Sequence, residues 1–264
     1  MCTLSVLRRP SPSGDDEAPL WRVKFNRDER RTRPPALPPV QHIYEEHVAV
    51  HPIDPQGGGT WVAVSSAGLV FALLNGYSES DAPSEADGRV NPATSATSRG
   101  LIIPTLLSAD TLALAATRAR ALDPTAFLSF RLVIVSDEGA CEIVHGAHGG
   151  HGHGRQLEIR DVEEGDAWMR SSSSVRPGVV LPHRRALFDH EVAASRLAVV
   201  QDRFHLTRHA DDSALGVLME RDDARTMSVT TVEVFATHAR MTYRALERDA
   251  TPATVDIARQ RHPR

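Results

Sequence analysis

Cys2, directly behind the initiator methionine, offers the most specific chemistry in this 264-residue chain. If Met1 is removed, Cys2 carries a free α-amino group as well as its thiol. The amine has a reference pKa of about 7.7–8.0, which suits a general base near neutral pH, and a cysteine thiolate is a strong nucleophile. One residue would then supply both nucleophile and base. The alternative is that position 2 merely tolerates a small residue.

A second group of candidates lies in the segment KFNRDERRTRP, residues 24–34. Arg27 and Asp28 follow the alternating run WRVKF and point to opposite faces if the strand continues through them. The carboxylate of Asp28 could hold the α-amine of Cys2, and the guanidinium of Arg27 could stabilise a thiolate. Because arginines crowd this segment, an exposed charged loop is the alternative interpretation.

Further polar positions could complete such a site. Asn75 ends the apolar run LVFALLN before a glycine, so its amide either donates to an oxyanion or simply closes a strand. Ser172 and Ser173 belong to the run RSSSSV, which offers a cluster of small hydrogen-bond donors. Arg225 stands at the entrance of the strand-like run ARTMSV, as a site cation or as an ordinary surface charge.

The tract HGAHGGHGHG carries four histidines, His145, His148, His151 and His153. Its glycines leave the imidazoles unorganised, and no carboxylate or thiol is interleaved with them. We therefore expect a flexible insertion over 145–154 and no functional metal site, although a metal chaperone acting through the tract is a third functional possibility. Cys141 lies in a strand-like run and is interpreted as a core thiol.

Four hairpins are predicted to position these residues. They are CTLSVL with WRVKF, TWVAVSS with LVFALLNGY, FLSFRLVIVS with ACEIVH, and MSVTTVEVFA with HARMTYRALE. A helix is predicted over SADTLALAATRARALD, capped by Ser108 or Asp110, and a second long helical region has Pro182 near its first turn. The segment TRPPALPP should exclude regular structure for several residues. Strands at both ends with helices between them favour an α+β fold over alternating βαβ units.

Composition narrows the classes of function. A net charge of −4 without a basic stripe argues against nucleic acid as a partner, and no apolar run reaches the length of a membrane span. Two cysteines cannot form a disulfide framework, so a reducing, cytoplasmic location is the default expectation. We expect one domain over 1–250 and a C-terminal tail over 251–264.

Taken in order, these pieces resemble the NRDE family, whose eukaryotic namesake is transport and Golgi organisation protein 2. The resemblance rests on Met1-Cys2, Asn26-Arg27-Asp28-Glu29 with Arg33-Pro34, Gly58-Gly59-Thr60-Trp61, Asn75, and Ser98-Arg99-Gly100. That family is in turn similar to the Ntn hydrolases of the penicillin V acylase and bile salt hydrolase type. The resemblance implies an αββα sandwich in which two antiparallel sheets lie between helical layers.

The same resemblance implies roles for individual residues. Cys2 matches the nucleophile, Asp28 the acid that orients the α-amine, and Asn75 an oxyanion-hole asparagine. Arg27 and Arg225 correspond to arginines of the site, and Trp61, Ser172 and Ser173 are expected to contact substrate. The family's second asparagine has no clear counterpart, because the expected region reads RSSSSV.

Two functions follow from the resemblance, and the sequence leaves both open. One is a hydrolase or acyltransferase for non-peptide amides or thioesters, which uses Cys2 and needs no cofactor. The other is a non-catalytic binding or trafficking protein for an amphipathic ligand such as haem or a lipid, which the association of eukaryotic relatives with haem homeostasis implies.

Overall fold

Thirteen strands account for most of the regular structure in the computed structural model, which describes residues 2–9, 18–76, 97–146, 157–247 and 250–260. In chain order they are β1 Cys2–Arg8, β2 Trp21–Arg30, β3 Leu37–Tyr44, β4 His47–Ile53, β5 Val62–Ser65, β6 Val70–Asn75, β7 Phe130–Ser136, β8 Gly139–His145, β9 Leu157–Asp161, β10 Ala167–Ser172, β11 Ala224–Val234, β12 His238–Ala245 and β13 Ala253–Ala258. They form two antiparallel sheets. Sheet A has the order β10-β1-β2-β11-β12-β13, and sheet B has the order β3-β4-β5-β6-β7-β8-β9.

The four predicted hairpins are confirmed. The pairs β1–β2, β5–β6, β7–β8 and β11–β12 are each antiparallel neighbours. The first pair is decisive for the site, because its register places Cys2 opposite Arg27. The return strand β10 flanks β1 on its other side, with Ser172 opposite Cys2. The strand that begins at Cys2 is therefore an inner strand of sheet A.

Helices cover the outer face of each sheet. Helix α1, Leu112–Arg120, packs on β7, β8 and β9 of sheet B, whereas α2, Pro177–Phe188, and α3, Ala198–His205, pack on β10, β1 and β2 of sheet A. Between the sheets lies an apolar core that includes Leu4, Phe25 and Leu74. These four layers confirm the predicted α+β sandwich, αββα, with two antiparallel sheets between helical layers.

Local details differ from the sequence predictions. The expectation that TRPPALPP excludes regular structure is wrong at its end, where β3 begins at Leu37 and contains Pro38 and Pro39. Proline is tolerated there because β3 is an edge strand and its register with β4 shifts between Leu37 and Val40. Helix α1 is capped by Thr111, whose side chain accepts a hydrogen bond from the Leu114 N–H, rather than by Ser108 or Asp110.

Helix α2 also begins earlier than the sequence suggests. It starts at Pro177, so Pro182 is an interior residue rather than part of the first turn. A one-turn π-helix, Asp189–Ala193, follows it and leads toward α3. None of the helices within the described residues is long and apolar enough to cross a bilayer.

The described part of the segment taken as a C-terminal tail is integrated into the fold. Strand β13 pairs with β12 at one edge of sheet A, and the Gln260 N–H donates to the Ser66 carbonyl of sheet B's β5–β6 turn at 2.8 Å. The predicted insertion begins with His145, which is buried at the end of β8. His148, His151 and His153 lie outside the described residues.

Candidate functional site

Cys2 belongs to a row of side chains that crosses sheet A. Ser172, Cys2, Arg27 and Ser228 are successive cross-strand partners on β10, β1, β2 and β11. Directly opposed residues of antiparallel strands share a face of the sheet. Cys2 packs in the core between the sheets, and only 6% of it is exposed. The thiol therefore points toward sheet B and lies inside the packed core between the two sheets.

The surroundings of Cys2 keep its thiol protonated while Met1 is present. Burial raises the pKa of the Cys2 thiol to about 11, and the negative charge of Asp28 acts in the same direction. The positive charge of the chain's amino terminus and a hydrogen bond from the Asp28 backbone N–H oppose this rise. Removal of Met1 would bring the positive charge onto Cys2 itself and so strengthen the factor that favours a thiolate.

Asp28 lies behind Cys2, on the face of sheet A that meets the helices. Its Oδ1 accepts a hydrogen bond from the Thr226 hydroxyl at 2.7 Å. Its Oδ2 is buried, lies 3.8 Å from Nη1 of Arg184, and has no hydrogen-bond donor among the described residues. Burial raises the pKa of Asp28, whereas Arg184, the amino terminus of the chain and Thr226 oppose the rise. The carboxylate thus has one acceptor atom still free, close to the start of the chain.

A β-bulge in β11 sets the position of Thr226, the residue that donates a hydrogen bond to Asp28. Thr226 pairs with Asp28 and Ser228 pairs with Arg27, so Met227 is the extra residue. Bulges redirect side chains and are common beside functional sites. Arg225 lies on the far side of the bulge, opposite Glu29, and its Nε is 3.4 Å from Sδ of Met227. The structure therefore places Arg225 beyond the Cys2 row, and its role as a site cation stays a prediction.

Arg184 is a buried part of this site that sequence reasoning missed. It extends from α2, and its Nη1 donates to the hydroxyls of Thr3 at 2.9 Å and Ser171 at 3.3 Å. Its Nη2 donates to the carbonyls of Ala214 at 3.1 Å and Gly216 at 2.6 Å. One signal could have found it. Arg184 occupies the helical stripe of Val180 and Phe188, the other buried residues of α2, where a charge is unexpected.

Arg27 points the opposite way from Asp28 and packs on Trp61. Its guanidinium carbon lies 4.3 Å from the Trp61 ring centroid, and its Nη2 lies 3.6 Å from Oδ2 of Asp54. Asp54 also forms a close ion pair with Arg33, and these contacts hold its pKa below the ordinary range despite burial. Asp54 was not singled out from the sequence. Its contact with Arg27 adds it to the group that contains the predicted site residues Arg27 and Trp61.

The glycines before Trp61 allow a close approach between two loops. A Cβ added to Gly59 would lie 2.2 Å from the carbonyl carbon of Gly100. The Thr60 N–H donates to the Gly100 carbonyl at 2.9 Å. The sequence features GGTW and SRG are therefore one structural unit, which positions Trp61 beneath Arg27.

Asn75 ends β6 in sheet B, opposite Phe130, and is half-buried. Strand β6 lies against β1 and β10 across the core, so the two strands that carry Cys2 and Ser172 are its neighbours. Leu74 belongs to the core between the sheets, whereas Leu73 and Phe130 pack on the outer side of sheet B. Strand alternation assigns Asn75 to that outer side, and an oxyanion role requires the strand end to twist toward Cys2.

The two predicted serine contacts have different environments. Ser172 lies directly opposite Cys2, and its buried hydroxyl has no hydrogen-bond partner within the part of the chain that the structure describes. Ser173 is engaged in its own turn, donating to the Val175 carbonyl at 2.6 Å and accepting from the Val175 N–H at 3.2 Å. Ser172 is thus the serine that is available to a ligand.

Metal ligation finds no support in the described side chains. His145 is fully buried and its Nε2 lies 3.2 Å from the Phe127 carbonyl oxygen. Across residues 2–9, 18–76, 97–146, 157–247 and 250–260, histidine, cysteine and acidic side chains form no group of three that could hold a metal ion. Cys141 is a buried free thiol in β8, in agreement with the predicted core position.

Comparisons with known proteins place this geometry in context. Residues 1–158 match the family described as Transport and Golgi organisation 2. The chain belongs to that family. The match covers Cys2, the NRDE segment, GGTW and Asn75, whereas Ser172, Arg184 and Arg225 of this family member follow it. A comparison with curated proteins gives no significant match.

Solved structures resemble this family member in fold. The Caenorhabditis elegans orthologue of N-acylethanolamine-hydrolyzing acid amidase has 10% sequence identity and a TM-score of 0.53, with 88% of this chain and 92% of that chain covered. A cysteine-to-alanine variant of conjugated bile acid hydrolase from Clostridium perfringens has 11% identity and a TM-score of 0.48, with 97% and 92% covered. The likeness to the nematode structure supports the Ntn-hydrolase-like fold.

Proposed function

We propose that this protein is an N-terminal-cysteine hydrolase or acyltransferase that acts on non-peptide amides or thioesters after Met1 is removed. The observation that carries the proposal is the free Oδ2 of Asp28, which is buried beside the start of β1. A buried carboxylate oxygen without a donor is costly. The α-ammonium that removal of Met1 would create on Cys2 is a fitting partner for it.

The chemistry uses groups of the Cys2 row and its surroundings. The α-amine of Cys2 takes the thiol proton, and the sulfur attacks the carbonyl carbon of the substrate. The tetrahedral oxyanion collapses as the bond to the leaving amine or thiol breaks and that group receives the proton, which leaves an acyl thioester on Cys2. Water then attacks the thioester and releases a carboxylic acid. In a transferase, an acceptor amine, alcohol or thiol takes the place of water.

Oxyanion stabilisation would come from Ser172 and Asn75 in this scheme. Ser172 supplies a free hydroxyl opposite Cys2. Asn75 ends β6 of the facing sheet, and its amide would contribute once the strand end twists toward Cys2. Trp61 and Arg27 form the wall against which a substrate would lie. The amide class follows from the likeness to the nematode orthologue of an acid amidase. The two free cysteines suit a reducing, cytoplasmic compartment.

Mass spectrometry of the intact protein tests the proposal directly. We expect the mature chain to lack Met1 and to gain one acyl group from an activated thioester or ester donor. Cys2→Ala should lose this adduct, and Cys141→Ala, the matched control at the other cysteine, should keep it. A chain that retains Met1, or equal labelling of the wild type and Cys2→Ala, would contradict the proposal.

One observation favours a second candidate function. The Cys2 thiol is buried, and its pKa of about 11 keeps it protonated, which suits contact with a ligand better than attack. The protein would then bind or traffic an amphipathic ligand such as haem or a lipid at the same site, around Cys2. In that case the Met1-free chain would bind such a ligand with no acyl adduct, and Cys2→Ala would still bind it.

A further inference from the structure

Arg184 is fully buried, and its charge requires an explanation beyond packing. Neither its side chain nor that of Asp28 is exposed to solvent. Burial lowers the pKa of the Arg184 guanidinium, and Asp28 and Cys2 oppose that decrease. A buried cation is costly to maintain, and a buried ion pair is weak evidence for stability as such. The position of Arg184 behind the start of β1 suggests a role in the site.

We propose that Arg184 is a positioning residue that favours the ionised form of Asp28 and leaves its Oδ2 free to receive the α-ammonium of mature Cys2. This inference rests on the proposed function, because it assigns the amine of Cys2 as the partner of Asp28. Arg184 contacts no substrate atom in this scheme. Its effect reaches the reaction through Asp28 and through the backbone of β1.

The hydrogen bonds of Arg184 explain why Oδ2 of Asp28 stays free. Both Nη atoms are engaged, Nη1 by the hydroxyls of Thr3 and Ser171 and Nη2 by the carbonyls of Ala214 and Gly216. The guanidinium is therefore fixed at 3.8 Å from Oδ2, too far for a hydrogen bond. Arg184 supplies positive charge to the carboxylate and leaves its lone pairs for another donor.

The same network fixes the backbone of Cys2. The hydroxyl of Ser171 accepts from Arg184 and donates to the Cys2 carbonyl at 3.2 Å. Thr3, the next residue of β1, bonds to both Arg184 and Ser171. Arg184 thus connects α2 directly to the side chain of Thr3 and, through Ser171, to the carbonyl of Cys2. This arrangement restrains the residue that would carry both the nucleophile and the amine.

Few other charges reach Asp28 from the elements packed around it. Glu29 on the same strand raises the pKa of Asp28, and the amino terminus of the chain lowers it. Thr226 on β11 contributes a neutral hydroxyl. His205 on α3 is buried, and its pKa lies well below the ordinary histidine value, so it adds no charge near neutral pH. Arg184 is therefore the main fixed cation that acts on Asp28.

The test compares Arg184→Gln and Arg184→Lys with Arg185→Gln, all in full-length chains from which Met1 has been removed. Arg185 is the matched control, because it neighbours Arg184 on α2 but is exposed and pairs with Asp189. The first measurement is the titration of Asp28 by carboxyl ¹³C NMR, with Asp28→Asn used for assignment. The second is the pH profile of acylation by the activated donor.

We expect Arg184→Gln to raise the pKa of Asp28 and to move the acidic limb of the acylation profile to higher pH. Arg184→Lys should restore part of both properties, and Arg185→Gln should change neither. An unchanged Asp28 titration in folded Arg184→Lys and Arg184→Gln would overturn the inference. If Arg184→Gln does not fold, Arg184→Lys alone tests the inference. Lysine lacks the guanidinium group, so the measured pKa of Asp28 must still change in that variant.

Failure of the proposed function would give a different result. Absence of acylation in the wild type contradicts the enzyme proposal, whereas the NMR titration still reports whether Arg184 controls the ionisation of Asp28. A third comparison uses the Asp28→Asn background. In that background, adding Arg184→Lys should leave the acidic limb of the acylation profile where Asp28→Asn alone puts it. A shift as large as the one that Arg184→Lys causes when Asp28 is present would show that Asp28 is not the target of Arg184.

Discussion

At the scale of single residues, the site combines satisfied and unsatisfied polar groups. Ser173 and Thr226 have their hydrogen bonds within the protein, and so do both Nη atoms of Arg184, whereas the buried Nε of Arg184 has none among the described residues. Ser172 Oγ and Asp28 Oδ2 are buried and have no such bond among the described residues. Buried polar atoms are nearly always paired. These two unpaired oxygens are among several in the described residues, and they are the ones to which the proposed function assigns the substrate oxyanion and the mature amino terminus.

Replacement of Ser172 tests the role of its free hydroxyl. Ser172→Ala should lower the acylation rate by about 100- to 1,000-fold, the range found when one oxyanion donor is removed. Ser173→Ala is the neighbouring control and should keep nearly the full rate, because the Ser173 hydroxyl is engaged with Val175. Rates of adduct formation by mass spectrometry measure both variants. Equal rates for wild type and Ser172→Ala would exclude Ser172 from the oxyanion site.

At the scale of elements, the NRDE segment of β2 serves both faces of sheet A. Asn26 and Asp28 face the helices, where the Asn26 amide donates to the carbonyls of His205 and Val217, each at 2.9 Å. Arg27 faces the other sheet with Glu29, whose Oε2 is 3.9 Å from Nη2 of Arg27. One strand thereby attaches α3, supplies the carboxylate and supports Trp61. This division explains why four consecutive polar residues can occupy an inner strand.

The contact between the GGTW and SRG segments gives a prediction about stability. Gly59→Ala should lower the free energy of unfolding by about 1–3 kcal/mol, because its methyl group would overlap the backbone of Gly100. Gly165→Ala is the control, since no atom lies within 4 Å of a Cβ added there. Urea denaturation measures both. Equal stability of the two variants would mean that the loops separate at little cost.

The sequence predicted the hairpins that build the site, and the site residues that it did not predict were missed for physical reasons. Alternation identified the hairpin that sets Cys2 opposite Arg27, because the pattern depends on near neighbours in the chain. Arg184 and Asp54 were missed because their roles depend on contacts between distant segments, which local patterns do not encode. Asn75 was singled out by its order in the chain, whereas strand alternation assigns it to the face of Leu73 and Phe130, so its role as an oxyanion donor stays a prediction.

At the scale of the whole molecule, the helical layer over sheet A is attached by a buried polar network. His205 bonds to Ser5 through Nε2 at 2.6 Å and to Asn26 through Nδ1 at 2.7 Å. All three residues are fully buried. Burial lowers the pKa of His205 well below the ordinary value, and the nearby cations Lys24, Arg22 and Arg184 act in the same direction.

This network predicts sensitivity to acid. A histidine whose folded-state pKa is depressed contributes stability above its unfolded pKa of about 6.5, and that stability is lost as pH falls through this region toward the folded value. His205 should therefore lower the free energy of unfolding by up to about 1.4 kcal/mol per pH unit below pH 6.5. His205→Gln should flatten this slope, and His190→Gln at an exposed position should not. An unchanged slope in His205→Gln would contradict the prediction.

The inner position of β1 sets an order of events during synthesis. Strand β1 is synthesised long before β10, the strand that flanks it in the finished sheet and ends at Ser172. At about 5–20 residues per second, β10 is translated roughly 10–30 s later. In the proposed function, an aminopeptidase would remove Met1 within this interval, before β10 pairs with β1. Maturation of the proposed site would then depend on translation speed, and slow folding would favour it.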